Sequence, residues 1–284
     1  MLALRLASAL GRLWVVRAHQ EGYAWLNEAL EAAPDAPPDL RAAGLMWAGS
    51  TVFFTGDYER ATALGEEALD LFRQLGDKRN VARMLDRLAA PAALAGDDAK
   101  ARAFAEESLA LFRELGDRPG SLHPLWKVAS DEWRRGNRER GVALTEDALT
   151  LAREVGDSWW EAGLLGDLAD MAWEFEDLPR AAALAGECVS LGHELGNAPT
   201  LVYGLALLAA LAAAEGKQTR AGRLWGAVEA IEESGEAALS EQDRARYAAV
   251  LPPADADFEA ARVEGRALTL DEALEYALNR PASG

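Results

Sequence analysis

Three histidines, one cysteine and a set of paired carboxylates are the residues in this 284-residue chain whose types could do chemistry. His19, His123 and His193 lie far apart and belong to no H-E-x-x-H or Cys/His pattern, so the ligand spacing of a zinc site is missing. Cys188 has no basic neighbour in sequence to favour its thiolate, and it reads as a small buried thiol rather than a nucleophile. No G-x-S-x-G elbow presents an activated serine, and no G-x-x-x-x-G-K-[ST] loop presents a phosphate cradle. Glu66-Glu67, Glu106-Glu107 and Glu146-Asp147 recur at one position of a longer pattern, which marks a solvated acidic ridge rather than an acid–base pair. Neither a metal nor a cofactor is expected.

The charge balance narrows the partners. The chain has 29 Lys and Arg against 47 Asp and Glu, a net charge of −18, with 50% hydrophobic residues. Such an excess of negative charge opposes direct binding to nucleic acid or to an anionic membrane, since both attract cations. The opening MLALRLASALGRLWVV is interrupted by Arg5 and Arg12, unlike a secretory h-region, and the charge-free run from Leu201 to Ala214 is shorter than the ~20 residues of a membrane span. A lone cysteine gives no intrachain disulfide, and the expected location is cytoplasmic.

The elements that must carry any site are set by a period. Gly56-Asp57, Gly76-Asp77, Gly96-Asp97, Gly116-Asp117, Gly136-Asn137, Gly156-Asp157, Glu176-Asp177, Gly196-Asn197 and Gly216-Lys217 follow one another at 20-residue steps. Glycine can take the left-handed conformation that closes a helix, and Asp or Asn can cap the next, so each dipeptide predicts a stop and a start. The intervening segments predict helices of ~16 residues. Alternate helices align, so the repeat is 40 residues long. One column holds Gly49, Ala89, Ala129, Ala169 and Ala209; a second holds Ala61, Ala101, Gly141, Ala181 and Ala221. Small residues there let paired helices approach closely. Leu45, Leu85, Leu125, Leu165 and Leu205, together with Leu75, Leu115, Val155 and Leu195, are expected to fill the seams, and Trp14, Trp25 and Trp225 the core. Trp159-Trp160 is expected to pack between neighbouring repeats. No hairpin buries both of its faces alone, so a stack of hairpins is the physical solution.

The pattern Leu85-x-x-Leu88-Ala89, Gly96-Asp97, Ala101, Ser108-Leu109 resembles the tetratricopeptide repeat, in a form longer than the standard unit. Segments near both ends, among them RAGRLWGAVEAIEE and VEGRALTLDEALEYAL, resemble the repeat region of bacterial STAND-type ATPase, LuxR-type and maltose-activator-like transcriptional regulators. The resemblance implies an all-α fold: a right-handed alpha–alpha superhelix of antiparallel helix pairs, a tetratricopeptide-like solenoid. About five repeats and an N-terminal helix pair would occupy residues 1–239. Capping helices and a frayed tail would occupy 240–284, with capping-box patterns at Ser240 and Thr269 separated by Pro252-Pro253 and fraying over Asn279–Gly284. The first helix, Leu2 to Val16, is apolar for a free end and is expected to meet a neighbour or a second copy.

In that family the first helix of each pair lines the concave face. The resemblance therefore transfers this role to helices near 39–55, 79–95, 119–135, 159–175 and 199–215. Read at fixed columns, the groove holds Met46, Ser50, Phe53 and Phe54, then Asp86, Ala90, Ala93 and Leu94, then Trp126, Ser130, Trp133 and Arg134. Gly166, Asp170, Trp173 and Glu174 follow, and the last helix contributes Ala206, Ala210, Ala213 and Ala214. Trp126, Trp133 and Trp173 beside Arg134, Asp170 and Glu174 combine apolar anchors with orienting charges, while Arg83, Arg87, Lys127 and His123 add basic character. These residues are the expected ligand groove of a non-catalytic scaffold. The resemblance implies a protein or peptide partner, a STAND-type ATPase domain or a small effector as its occupant. The alternative is a hydrolase or transferase using Asp170, Glu174 and His123.

Overall fold

The computed structural model describes residues 1–252 and 255–278; the frayed end expected at Asn279–Gly284 and one residue of the Pro252-Pro253 break lie outside them. The chain divides into two compact units, residues 1–144 and 145–284. The first contains α1 (Leu2–Ala9), α2 (Gly11–Arg17), α3 (His19–Glu31), α4 (Pro38–Phe53), α5 (Tyr58–Gln74), α6 (Lys78–Leu94), α7 (Asp98–Glu114), α8 (Arg118–Arg134) and the beginning of α9 (Arg138–Val155). The second contains the remainder of α9, α10 (Ser158–Glu174), α11 (Leu178–Glu194), α12 (Ala198–Ala214), α13 (Gln218–Ser234), α14 (Glu241–Ala248), α15 (Ala256–Arg266) and α16 (Leu270–Ala277). Among the described residues there is no strand, and no helix is long and apolar enough to cross a membrane.

The turns work as the dipeptides predict. At Gly76 the chain takes φ +69°, and the following Asp77 N–H bonds back to the Phe72 carbonyl at 3.0 Å, a bond that recurs as Asp97 to Ala92 and Asp117 to Phe112. The Asp77 carboxylate then accepts the Asn80 backbone N–H at 3.1 Å and so caps α6. Glu176 occupies the glycine position of its turn with φ +59°, the one positive-φ side chain among the described residues.

The small columns lie where two helices meet. A Cβ built on Gly49 would stand 3.1 Å from the Ala61 carbonyl oxygen, and one on Gly141 would stand 3.1 Å from the Trp133 backbone. Helix α4 packs on α5, α5 on α6 and α6 on α7 in the first unit, as α10, α11, α12 and α13 do in the second. Leu45, Leu85, Leu125, Leu165 and Leu205 are buried in the seams. Leu75 and Leu195 correct the expectation made for them: they are 44% and 42% exposed, because each is the C-cap residue at which the chain is already leaving its helix.

Both ends hold further corrections. The single helix expected over Leu2–Val16 is two, broken at Leu10, and Gly11 lets α2 pack against the Trp47 ring, where a Cβ would come within 2.1 Å. Trp225 is buried, whereas Trp25, expected in the core, is 53% exposed; it lies on the outer face of α3, whose Leu26, Ala29 and Leu30 turn inward instead. Trp159 is also exposed, set edge-on against Trp160 at 5.4 Å. Past α13, Thr269 and Glu272 form a reciprocal capping box. At Ser240 the reciprocal half is absent: its side chain accepts the Asp243 N–H and donates to the Asp243 carboxylate at 2.6 Å.

Helix α15 lies on α13 with almost no space between their backbones. A Cβ on Gly222 would fall 2.2 Å from the Phe258 carbonyl oxygen, one on Gly226 would fall 2.1 Å from that of Arg262, and one on Gly265 would fall 2.0 Å from that of Arg223. Glycine at all three positions is what lets the helices meet.

Candidate functional site: two grooves of unlike occupancy

In the first unit α4, α6 and α8, with residues of α5 and α7 between them, supply the walls of two adjoining cavities. One, of about 230 Å³, is bounded by Met46, Ser50, Phe53, Arg87, Pro91 and His123; the other, of about 380 Å³, by Ala93, Arg102, Trp126, Ser130, Asp131 and Arg134. Ala90 and Lys127 line both, so the two cavities meet at these residues. Pro91, inside α6, has no N–H to give to the Arg87 carbonyl four residues before it, which leaves that acceptor without its intrahelical donor.

Its charges are tied in a chain. His123 Nδ1 donates to Asp86 Oδ2 at 2.8 Å, and Lys127 Nζ donates to the Asp86 carbonyl and, at 3.2 Å, to Asp86 Oδ1. Burial by itself pushes the Asp86 carboxyl up, but the hydrogen bond from His123 and the Lys127 charge outweigh it and hold the group below the ordinary carboxylate range. Burial pulls the Lys127 ammonium down against the opposing pull of Asp86. Arg87 donates to Ser50 Oγ at 3.0 Å and lies 5.1 Å from the Trp47 ring centroid, and the Trp126 ring stacks on His123 at 5.8 Å. Further along, Arg102 donates to Asp131 at 3.0 Å and to Glu132 at 2.7 Å; Asn137 donates to the second Glu132 oxygen at 2.6 Å.

Of the expected residues, Asp86, Arg87 and His123 therefore border the first cavity and Trp126, Ser130 and Arg134 the second. Arg83 is exposed on α6 and lines neither. Trp133 also lines neither; it packs against Gly141, with the Arg138 guanidinium 4.9 Å from its ring centroid. The buried pair Asp131 and Glu132 was not foreseen, since each falls outside the groove columns. The signal that marks it is Glu132, an acid where the repeat equivalents Val52, Ala92, Ala172 and Ala212 are all apolar.

In the second unit Asp170, Trp173 and Glu174 come together on α10, and α14 covers them. Arg246 donates to Asp170 Oδ2 at 2.9 Å and to Glu174 at 3.4 Å, and its guanidinium lies 5.1 Å from the Trp173 ring centroid. Tyr247, fully buried, donates to Asp170 and stacks on Trp173 at 5.7 Å. Tyr203 of α12 donates to the same carboxylate. Burial pushes the Asp170 carboxyl up, and these hydrogen bonds and the Arg246 charge only partly offset it. The sequence carried a sign of this packing: α12 has alanine in every groove column, and Ala206 and Ala210 are fully buried in the same core as Tyr247. His123, the remaining member of the hydrolytic alternative, is bonded to Asp86, while Asp170 and Glu174 are paired with Arg246. Cys188 is 1% exposed, in keeping with its reading as a small buried thiol. Among the described residues no group of three His, Cys, Asp or Glu side chains could hold a metal ion.

A sequence profile of the tetratricopeptide repeat matches residues 40–114. No curated protein matches the chain. Among solved structures, the signal transduction ATPase with numerous domains that carries a tetratricopeptide repeat sensor, from Pyrococcus horikoshii, is similar over 96% of this chain with a TM-score of 0.71 at 15% identity; the match spans 43% of that protein. A Rap protein complexed with Competence and Sporulation Factor is similar over 87% of this chain and 67% of its own, with a TM-score of 0.64 at 14% identity. NprR in complex with its cognate peptide NprX is similar over 93% of this chain and 77% of its own, with a TM-score of 0.61 at 12% identity. The chain therefore carries tetratricopeptide repeat sequence over residues 40–114 and has the all-α, tetratricopeptide-like fold of paired helices.

Proposed function

We propose that this chain is a non-catalytic binding scaffold, the sensor or regulatory repeat region of a bacterial signalling or transcriptional regulator, that holds a peptide or a short partner segment in the groove of its first unit. The observation that carries the reading is that the two cavities adjoin at Ala90 and Lys127 and that their linings combine apolar residues, among them Met46, Phe53 and Trp126, with the His123–Asp86–Lys127 chain. Such a surface suits a partner that buries apolar side chains while its polar backbone meets fixed charges. Arg83, Arg87, Trp126, Ser130 and Arg134 would add specificity along its length. The likeness to Rap and NprR, solved with a factor and a cognate peptide, supports a peptide-sized occupant, and the likeness to a STAND protein supports action on an ATPase domain. A small effector would act by the same route, through unequal affinity for two arrangements of the regulator. Cytoplasmic placement follows from this role.

The test is a peptide-library selection on the intact chain, followed by calorimetry with the selected peptide. Trp126→Ala and Lys127→Ala should each weaken binding by about tenfold or more, the loss expected of a central anchor, with the helical circular dichroism retained. Affinity unchanged in both variants would remove the first-unit groove as the site.

A further inference from the structure

Helix α14 is held through three neighbouring side chains, Arg244, Arg246 and Tyr247. Of its eight residues only Tyr247 is buried; Asp243, Arg244 and Arg246 are half-buried, with Arg244 paired to Glu232 of α13 and 5.5 Å from the Trp225 ring centroid, while Glu241, Gln242, Ala245 and Ala248 face solvent. Non-helical chain flanks it on both sides, at 236–240 and 249–252. Its neighbours are anchored without it, because α15 is locked onto α13 through Gly222, Gly226 and Gly265. Loss of α14 from α10 and α12 would not require α13 and α15 to separate.

What α14 covers is by contrast a built pocket. Asp170 is taken out of water on the floor between α10 and α12, with Tyr203 already donating to it and Glu174 one turn away. The Trp173 face beside it takes a cation and an aromatic ring together. A buried carboxylate needs a cation or strong donors, and an indole face prefers a guanidinium or a ring to water, so the pocket is matched to an arginine followed by a tyrosine. Arg246 and Tyr247 supply that pair from the chain itself.

We propose that the α10–α12 surface is a receptor for a helical segment presenting an arginine followed by an aromatic residue, and that α14 is a tethered copy of that ligand which a partner helix of the same chemistry displaces. The site is separate from the groove proposed above, and either can fail without the other. Tethering gives α14 a high effective concentration, so a free segment competes only when it binds the pocket more tightly or is abundant.

The experiment uses the synthetic peptide SEQDRARYAAVL, which is residues 240–251, with the full chain. The doubly substituted chain Arg246→Ala/Tyr247→Ala should bind the peptide at least tenfold more tightly than the unsubstituted chain. A peptide with alanine at both of those positions should not bind, and adding Asp170→Asn to the vacated chain should weaken binding by tenfold or more. Equal affinity for the vacated and unsubstituted chains overturns the proposal, as does no binding to a vacated chain that keeps its helical signal. Hydrogen exchange on the unsubstituted chain provides a readout independent of the variant's folding. Excess peptide should speed exchange of the amides of 241–248 and leave those of α13 and α15 unchanged. Unchanged protection of α14 under saturating peptide refutes displacement.

Discussion

His123 of α8 donates its Nδ1 hydrogen to the Asp86 carboxylate of α6 at 2.8 Å, so the two helices are joined through side chains that line the same cavity. The bond also fixes how the groove responds to acid. Asp86 is held below the ordinary carboxylate range in the folded chain, and in the unfolded chain it returns to about 3.9. A depressed folded value stabilises the fold fully above the unfolded value, and that contribution is lost as pH falls through the folded one. Asp86→Asn should therefore be less stable than the unsubstituted chain at pH 7, by about 2 kcal/mol for a lost charged hydrogen bond. The gap should close as the pH drops below about 4. Urea unfolding of both chains from pH 7 to pH 3 measures it; a gap that stays constant over that range contradicts the role given to Asp86.

The α13–α15 contact makes a sharper claim. A methyl group on Gly226 would stand 2.1 Å from the Arg262 carbonyl oxygen, and backbone cannot yield as a flexible side chain does. Gly226→Ala should cost about 1–3 kcal/mol through overpacking, although alanine is the better helix former. Gly163→Ala in α10 is the matched control, since nothing lies within 4 Å of a Cβ there; it should stabilise by about 0.5–1 kcal/mol. Thermal unfolding that ranks the two variants the other way would show that the helices are not in backbone contact.

Glu176 tests the turn mechanism. It holds φ +59° where the equivalent turns have glycine, and a side chain in the left-handed region costs about 1–2 kcal/mol. Glu176→Gly should raise stability by up to ~1 kcal/mol, the relief of strain being reduced by the extra entropy of an unfolded glycine. Lower stability of the variant would mean that the turn draws on the Glu176 side chain.

The periodic features were legible because each repeat solves the same local problem. A glycine that ends one helix, an aspartate that caps the next and a small residue at each crossing are decided within one hairpin, so Gly76, Asp77 and Gly49 announce their roles unaided. The contents of the grooves are decided between segments far apart in sequence. Nothing near Asp170 shows that Arg246 and Tyr247 will meet it, 76 and 77 residues away, and nothing near Glu132 shows that Arg102 will pair with it. Trp25 misled for the related reason that a tryptophan signals burial only where a neighbour covers it: it is left 53% exposed although Leu26 beside it is fully buried.

Cys188 offers the closing test, since it is the residue whose chemistry would be easiest to overrate. Its thiol is 1% exposed, and Gly166 and Gly204 approach so closely that a Cβ on either would stand 3.5 Å from its sulfur. Burial, reinforced by the charges of Asp167 and Asp170, pushes the thiol up to about 12, so at pH 8 the thiolate that reacts is about one part in ten thousand. The folded chain should therefore react with an aromatic disulfide reagent at pH 8 at least about a thousandfold more slowly than the same chain in urea, where the thiol returns to about 8.5. Stopped-flow absorbance in both conditions measures the ratio, with added urea below the unfolding transition separating local opening from global unfolding. Comparable rates in the two states would place the sulfur in contact with solvent, which is incompatible with the packing of α10, α11 and α12 around it.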